Sequence, residues 1–152
     1  MFQLLLGMDK SVFRRAESIP VTLRFDNVGS EPITLEGIIP KSGSAGPPFL
    51  EIEAPNGRFM RVETGIPREL ANDKPVVIEP GRSCLLLQVD LLDVPAWVRT
   101  QEGAARGDYG KTLNRLGPEL RPGNYAISGH FHPLPQRYQS DTDSVLFTIE
   151  GK

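Results

Sequence analysis

Leu120-Arg121-Pro122-Gly123-Asn124-Tyr125 runs directly into Ala126-Ile127-Ser128-Gly129-His130-Phe131, and this stretch decides the fold class. Proline presets φ and glycine tolerates the left-handed region, so Pro122-Gly123 reads as a tight turn. Beyond it, Tyr125, Ile127, Gly129 and Phe131 fall on one face while Ser128, His130 and His132 fall on the other. That period of two is the mark of a strand with one face buried and one face wet.

The same pattern recurs on either side. Ile19, Val21, Leu23 and Phe25 alternate with Pro20, Thr22, Arg24 and Asp26, and after the turn Asn27-Val28-Gly29-Ser30 the pattern resumes at Ile33 and Leu35. Lys41 to Pro48, rich in Gly, Ser and Pro, reads as a loop. Leu50 and Ile52 then alternate with Glu51 and Glu53, and Asn56-Gly57 signals a hairpin whose return strand carries Met60 and Val62 inward. A second Pro-Gly turn, Glu79-Pro80-Gly81-Arg82, follows Val76-Val77-Ile78. Ser83 to Leu92 is apolar on both faces, with Leu85, Leu87, Val89 and Leu91 on one and Cys84 and Leu86 on the other, so it needs cover on both. The long connection from Asp93 to Glu119 is the expected cover, with Trp97 near Leu86 and a short helix over 108–116 capped by Asp108. Val145, Phe147 and Ile149 complete the predicted core, which also holds Ile19, Val21, Leu23, Phe25, Ile33, Leu35, Leu87, Val89, Tyr125, Ile127 and Phe131.

Composition narrows the function. The 152 residues suffice for one domain with a substantial core, and a net charge of −2 from dispersed charges recommends neither nucleic acid nor an anionic membrane. Fifteen Gly and fourteen Pro suit many turns better than a helical bundle. The apolar opening Met1 to Met8 has no basic residues before it and stops at Asp9 and Lys10, so it reads as a first strand rather than an export or membrane segment. With Cys84 as the single cysteine and therefore no internal disulfide, the expectation is a cytoplasmic protein.

Three segments carry a family likeness. The turn feeding Tyr125 resembles the tyrosine corner of immunoglobulin-like and fibronectin-type sandwiches, in which the phenol bonds to backbone a few residues upstream. Lys10 to Gly29 resembles the opening of bacterial immunoglobulin-like domains, although Ala16-Glu17-Ser18-Ile19-Pro20 lacks the glycine of their Gly-Glu-Pro bend. Ile78-Glu79-Pro80-Gly81 and Leu120-Arg121-Pro122-Gly123 resemble the paired turns of BsuPI-like intracellular proteinase inhibitors and of macroglobulin-type modules. The strand-and-turn spacing and the resemblance together imply an all-β, antiparallel immunoglobulin-like β-sandwich of about seven to nine strands, forming one domain over 1–152, with a partly helical insertion at 93–119 that lies outside the family pattern.

Chemical motifs are sparse. His130 and His132 lie two apart on the wet face, with Asp141 or Asp143 across a hairpin, a spacing that can ligate zinc or copper. Two histidines with no cysteine partner are the ordinary polar side of an amphipathic strand, and the expectation is no metal and no cofactor. Arg106-Gly107-Asp108 matches an adhesive tripeptide, but Asp108 serves equally as a helix cap. Cys84 sits in an apolar strand that raises its pKa and hides it. Glu51 and Glu53 read as a solvated face, and neither a nucleophile elbow nor a phosphate loop is present.

The sequence therefore points away from an enzyme and toward a protein-binding or assembly module, acting through loops, strand edges or the insertion, with a copy of itself or another protein as partner. Pro20 and Pro32 are read as protection of strand edges. The alternative, which the BsuPI likeness implies, is inhibition of an intracellular serine protease by an extended proline-braced loop. His132 to Gln139 would present Leu134, Arg137 and Tyr138, the loop at 41–48 is a second candidate, and Trp97 is the contact residue expected from the insertion.

Overall fold

The computed structural model describes residues 1–39, 46–99 and 111–151. Within them the chain is all-β, with thirteen strands and four single 3₁₀ turns, more strands than the seven to nine expected because several are only two or three residues long. Among the described residues no helix is long and apolar enough to cross a membrane.

One sheet contains β1 (Phe2–Met8), β3 (Pro20–Asn27) and β8 (Ser83–Asp90) in the order β1-β3-β8. A larger sheet runs β10-β9-β6-β5-β11-β13-β2, from Lys111–Leu113, Ala96–Arg99, Phe59–Val62, Gly46–Glu53, Gly123–His132 and Val145–Ile149 to Val12–Phe13. β12 (Ser140–Asp141) pairs with the far end of β11, and β4 (Ile33–Leu35) pairs with β7 (Val76–Ile78) apart from both sheets. All pairings are antiparallel except β13 with β2. The first strand was expected, and β1 supplies it.

The two large sheets face each other across one core. Phe25 of β3 meets Phe131 of β11 edge to face with centroids 5.8 Å apart, and Phe2 stacks on Phe25 at 5.1 Å. Val21, Leu23, Phe25, Leu50, Ile52, Ile127 and Phe131 are wholly buried, so the alternation in β3, β5 and β11 is the alternation of core and surface. Of the predicted core only Val145 is exposed, at 36%. It opens β13 before β2 begins to pair at Thr148, so nothing from that strand covers it.

Two bulges revise the strand reading. β8 is not a strand needing cover on both faces. Its register with β3 shifts between Leu23↔Leu87 and Arg24↔Leu85, so the parity of the strand changes and Cys84, Leu86, Leu87 and Val89 are all buried. Gly46-Pro47-Pro48, expected in a loop, begins β5. Gly46 pairs with His132 and Phe49 with His130, which leaves two prolines opposite the single residue Phe131, a bulge where the missing N–H groups do no harm.

The connection after β8 also differs from expectation. Lys111–Leu113 is a strand rather than helix, and Gly117–Glu119 is a 3₁₀ turn. Asp108 and the Arg106-Gly107-Asp108 tripeptide lie outside the described residues, as do positions 40–45. The connection extends the large sheet through β9 and β10 and sends Val94, Ala96, Val98 and Leu116 into the core. Strand alternation then turns Trp97 outward, where it is 44% exposed and covers nothing near Leu86. Pro20 opens the central strand β3, not an edge, where the first position spares the ladder a donor.

Candidate functional site

The outer face of the large sheet carries a cluster of titratable side chains, His130, His132 and Asp141. In β11 the inward residues Tyr125, Ile127, Gly129 and Phe131 leave Ser128, His130 and His132 on the opposite face, as the spacing requires. β12 returns beside them with His130 opposite Asp141. His130 Nδ1 lies 2.6 Å and His132 Nε2 2.8 Å from the same Asp141 oxygen. Ser128 Oγ is 2.8 Å from His130 Nε2, and Phe49 of β5 stacks on the His130 ring at 4.8 Å. Desolvation works against the Asp141 charge, but the bonds from His130 and His132 prevail and hold its carboxyl below the ordinary range. Asp143, the other carboxylate considered, is not in this cluster.

The same face continues away from the histidines. The Arg61 guanidinium lies over Phe49 at 3.5 Å, and Arg61 pairs in register with Trp97 of β9. Trp97 is thus one end of an aromatic and cationic strip, not a plug in the core.

The segment 132–139 is folded back rather than extended. Gln136–Tyr138 forms a 3₁₀ turn, and Leu134 lends its carbonyl to the amide of Glu36 at 3.0 Å. Tyr138 is half-buried with its ring edge on Phe2 at 5.5 Å and near Phe25 at 6.4 Å, so it serves the core. Leu134 is half-buried and Arg137 is exposed, its guanidinium 4.9 Å from the Tyr138 ring. The structure does not bring these three together with Trp97 as one surface.

A groove of about 560 Å³ opens between β7 and β8. These strands follow one another through the turn Glu79-Pro80-Gly81-Arg82, yet each pairs elsewhere, β7 with β4 and β8 with β3. Leu70, Val76, Val77 and Leu85 line the groove, Pro67 and Gly65 close one wall, and Glu69, Glu79 and Arg82 supply charge. The Arg82 carbonyl accepts from Asn27 at 3.0 Å, so by antiparallel alternation Ser83 and Leu85 turn their backbone groups away from β3. Gln88 is already taken, its amide donating to Gly65 at 3.0 Å. Cys84 also borders the groove, but burial pushes its thiol up to about 11, as its apolar surroundings led us to expect. Sequence reasoning missed this groove. Its signal, Val76-Val77-Ile78 before a Pro-Gly turn, reads equally well as one arm of a hairpin.

The chain matches no protein-family model, and no curated protein sequence matches it. Among solved structures it is similar to the Listeria innocua beta-glucosidase determined in complex with glucose, with a TM-score of 0.44, 11% identity and coverage of 99% of this chain. The matched region spans 16% of the glucosidase chain.

Proposed function

We propose that this chain is a non-catalytic protein-binding module of the bacterial cytoplasm that holds an extended segment of a partner protein in the groove between β7 and β8. The observation that carries this reading is that two consecutive strands decline to pair with each other and leave an apolar cleft between them. A strand laid there would meet the outward backbone groups of Ser83 and Leu85, and its alternate side chains would meet Leu70, Val76 and Val77. Main-chain bonds supply affinity in such an arrangement and the side-chain walls supply selectivity. Val77, 56% exposed on the rim, is the apolar surface that a partner would cover. The Tyr125 bond to backbone and the two Pro-Gly turns support descent from the immunoglobulin-like domains that the sequence resembles.

The test is selection of extended peptides from a displayed random library, followed by hydrogen exchange on the complex. Bound peptide should slow exchange at the Ser83 and Leu85 amides. Leu85→Pro, which removes a groove-facing donor, and Val77→Glu on the rim should each abolish binding, while Trp97→Ala should not. Peptides that bind all variants equally, or that protect other amides, would refute the proposal.

A further inference from the structure

We propose that His130, His132 and Asp141 form a binding site for a single divalent transition-metal ion of the zinc class. The site stands on observations independent of the groove, and nothing in it depends on a partner protein.

Two histidines on the wet face of a strand ordinarily spread into water. Here both rings turn toward one point. His130 Nδ1, His132 Nε2 and a carboxylate oxygen of Asp141 lie within 4.8 Å of one another, with both nitrogens in hydrogen-bond range of the same oxygen. That oxygen stands near where a shared cation would pull the three donors together. Zinc–nitrogen bonds of about 2.0–2.1 Å at tetrahedral angles place donor atoms roughly 3.3 Å apart. To admit the ion Asp141 has to step back by about half an ångström, and the two imidazole nitrogens, which lie within 4.8 Å of each other, have to close toward that spacing by rotation of their rings. The Asp141 side chain, 54% exposed on the two-residue strand β12, is free to move.

The surroundings behave as a second layer of support. A metal-bound imidazole generally donates its other N–H to an oxygen, which fixes the tautomer and the ring plane. Ser128 Oγ sits 2.8 Å from His130 Nε2 in the position for that role. A hydroxyl both donates and accepts, so Ser128 accommodates His130 with its proton on Nδ1 when Asp141 is the partner and on Nε2 when a metal takes Nδ1. The Phe49 ring, stacked at 4.8 Å and 19° from coplanar, holds His130 on its other side. Opposite His132 stands Gly46, where a Cβ would meet no atom of the described residues within 4 Å.

The donor set selects the ion. Two imidazole nitrogens and one carboxylate suit Zn²⁺ and its neighbours, whereas Mg²⁺ and Ca²⁺ favour all-oxygen shells. Three protein ligands leave a fourth position for water.

Calorimetric titration of chelator-treated protein with zinc chloride tests the site. We expect one equivalent of Zn²⁺ to bind, no response to Mg²⁺, and a tetrahedral visible spectrum on substitution with Co²⁺. His132→Ala and Asp141→Ala should abolish the equivalent. Ser128→Ala should weaken it by about 10-fold or more, the usual effect of losing an outer partner. Asp143→Ala should leave it intact, and thermal melts of each variant report folding separately. No saturable binding at millimolar zinc, or an equivalent that survives both ligand substitutions, would overturn the proposal.

Discussion

The hydroxyl of Tyr125 donates to the backbone carbonyl of Arg121 across 2.6 Å, closing the turn whose sequence first marked the fold. The ring itself is buried and stacks on Phe147 at 5.1 Å, so the bond joins the start of β11 to the loop before it without disturbing the core. Tyr125→Phe keeps the stack and removes the bond. Because Arg121 is exposed and water can replace the lost donor, the expected loss is about 1 kcal/mol in denaturant unfolding.

Ala16 occupies a left-handed conformation, φ 64°, in the turn closed by the Glu17 amide on the Arg14 carbonyl at 3.1 Å. This is the bend that lacks the glycine of the sequences it resembles. The strain of an L side chain there is about 1–2 kcal/mol, and glycine gives back part of the gain through its freer unfolded chain. Ala16→Gly is expected to stabilise by about 0.5–1 kcal/mol. A lowered melting temperature would contradict it.

Gly129 and Gly117 make a graded pair. A Cβ on Gly129 would come within 2.3 Å of a methyl carbon of buried Leu23, and one on Gly117 within 2.2 Å of the Leu92 carbonyl. A side chain yields more readily than backbone. Both alanine variants should lose about 1–3 kcal/mol, with Gly117→Ala the more damaging. Combining Gly129→Ala with Leu23→Ala should recover part of the clash, as a double-mutant cycle would show.

Asp90 accepts from Ser18 Oγ at 2.7 Å and from the amides of Ile19 and Leu92 at 2.8 and 3.0 Å. Burial works against its charge, but these bonds hold the carboxyl below its ordinary value. A depressed pKa stabilises the fold fully above the unfolded value of about 3.9 and loses that contribution as pH falls through the folded value. Asp90→Ala should therefore be less stable at neutral pH by about 1–3 kcal/mol, and the gap should narrow in acid below about pH 4.

Trp97 is the single tryptophan and is 44% exposed, so it reports its own environment cleanly. Its emission should lie to the red of a buried indole and be readily quenched by acrylamide. Emission characteristic of a buried indole would contradict its outward position on β9.

Local chemistry was legible in the sequence. The alternation in β3, the Asn56-Gly57 hairpin, the burial of Cys84 and the Tyr125 bond all depend on residues close in the chain or on one strand's own period. Bulges were not legible, because the extra residue in β8 changes parity without a distinctive composition and the Gly-Pro-Pro that opens β5 reads first as loop. Trp97 was misplaced because its direction depends on Ala96 and Val98 being strand residues, which only pairing with β10 and β6 establishes. Asn27 read as a turn residue, yet it is buried, and its amide reaches the carbonyls of Glu31 and Ile78 at 2.7 and 2.8 Å. The histidine–aspartate cluster was partly visible because a hairpin joins its members. The groove was not, because nothing in Val76-Val77-Ile78 says that β7 will turn to β4 instead of β8.

The parallel pairing of β2 with β13 sets Val12 beside Thr148 and Phe13 beside Ile149, and the Phe13 ring meets Phe147 edge to face at 6.2 Å. One corner of the core is thus sealed by segments from opposite ends of the sequence. During synthesis β1, β3 and β8 can pair as soon as the chain has emerged through Asp90, whereas Phe13 must wait for β13. Contacts so distant along the chain form late and slow the search for the native state. Until they form, Phe13 lacks the strand that covers it in the folded structure, so this corner of the core is the last to close.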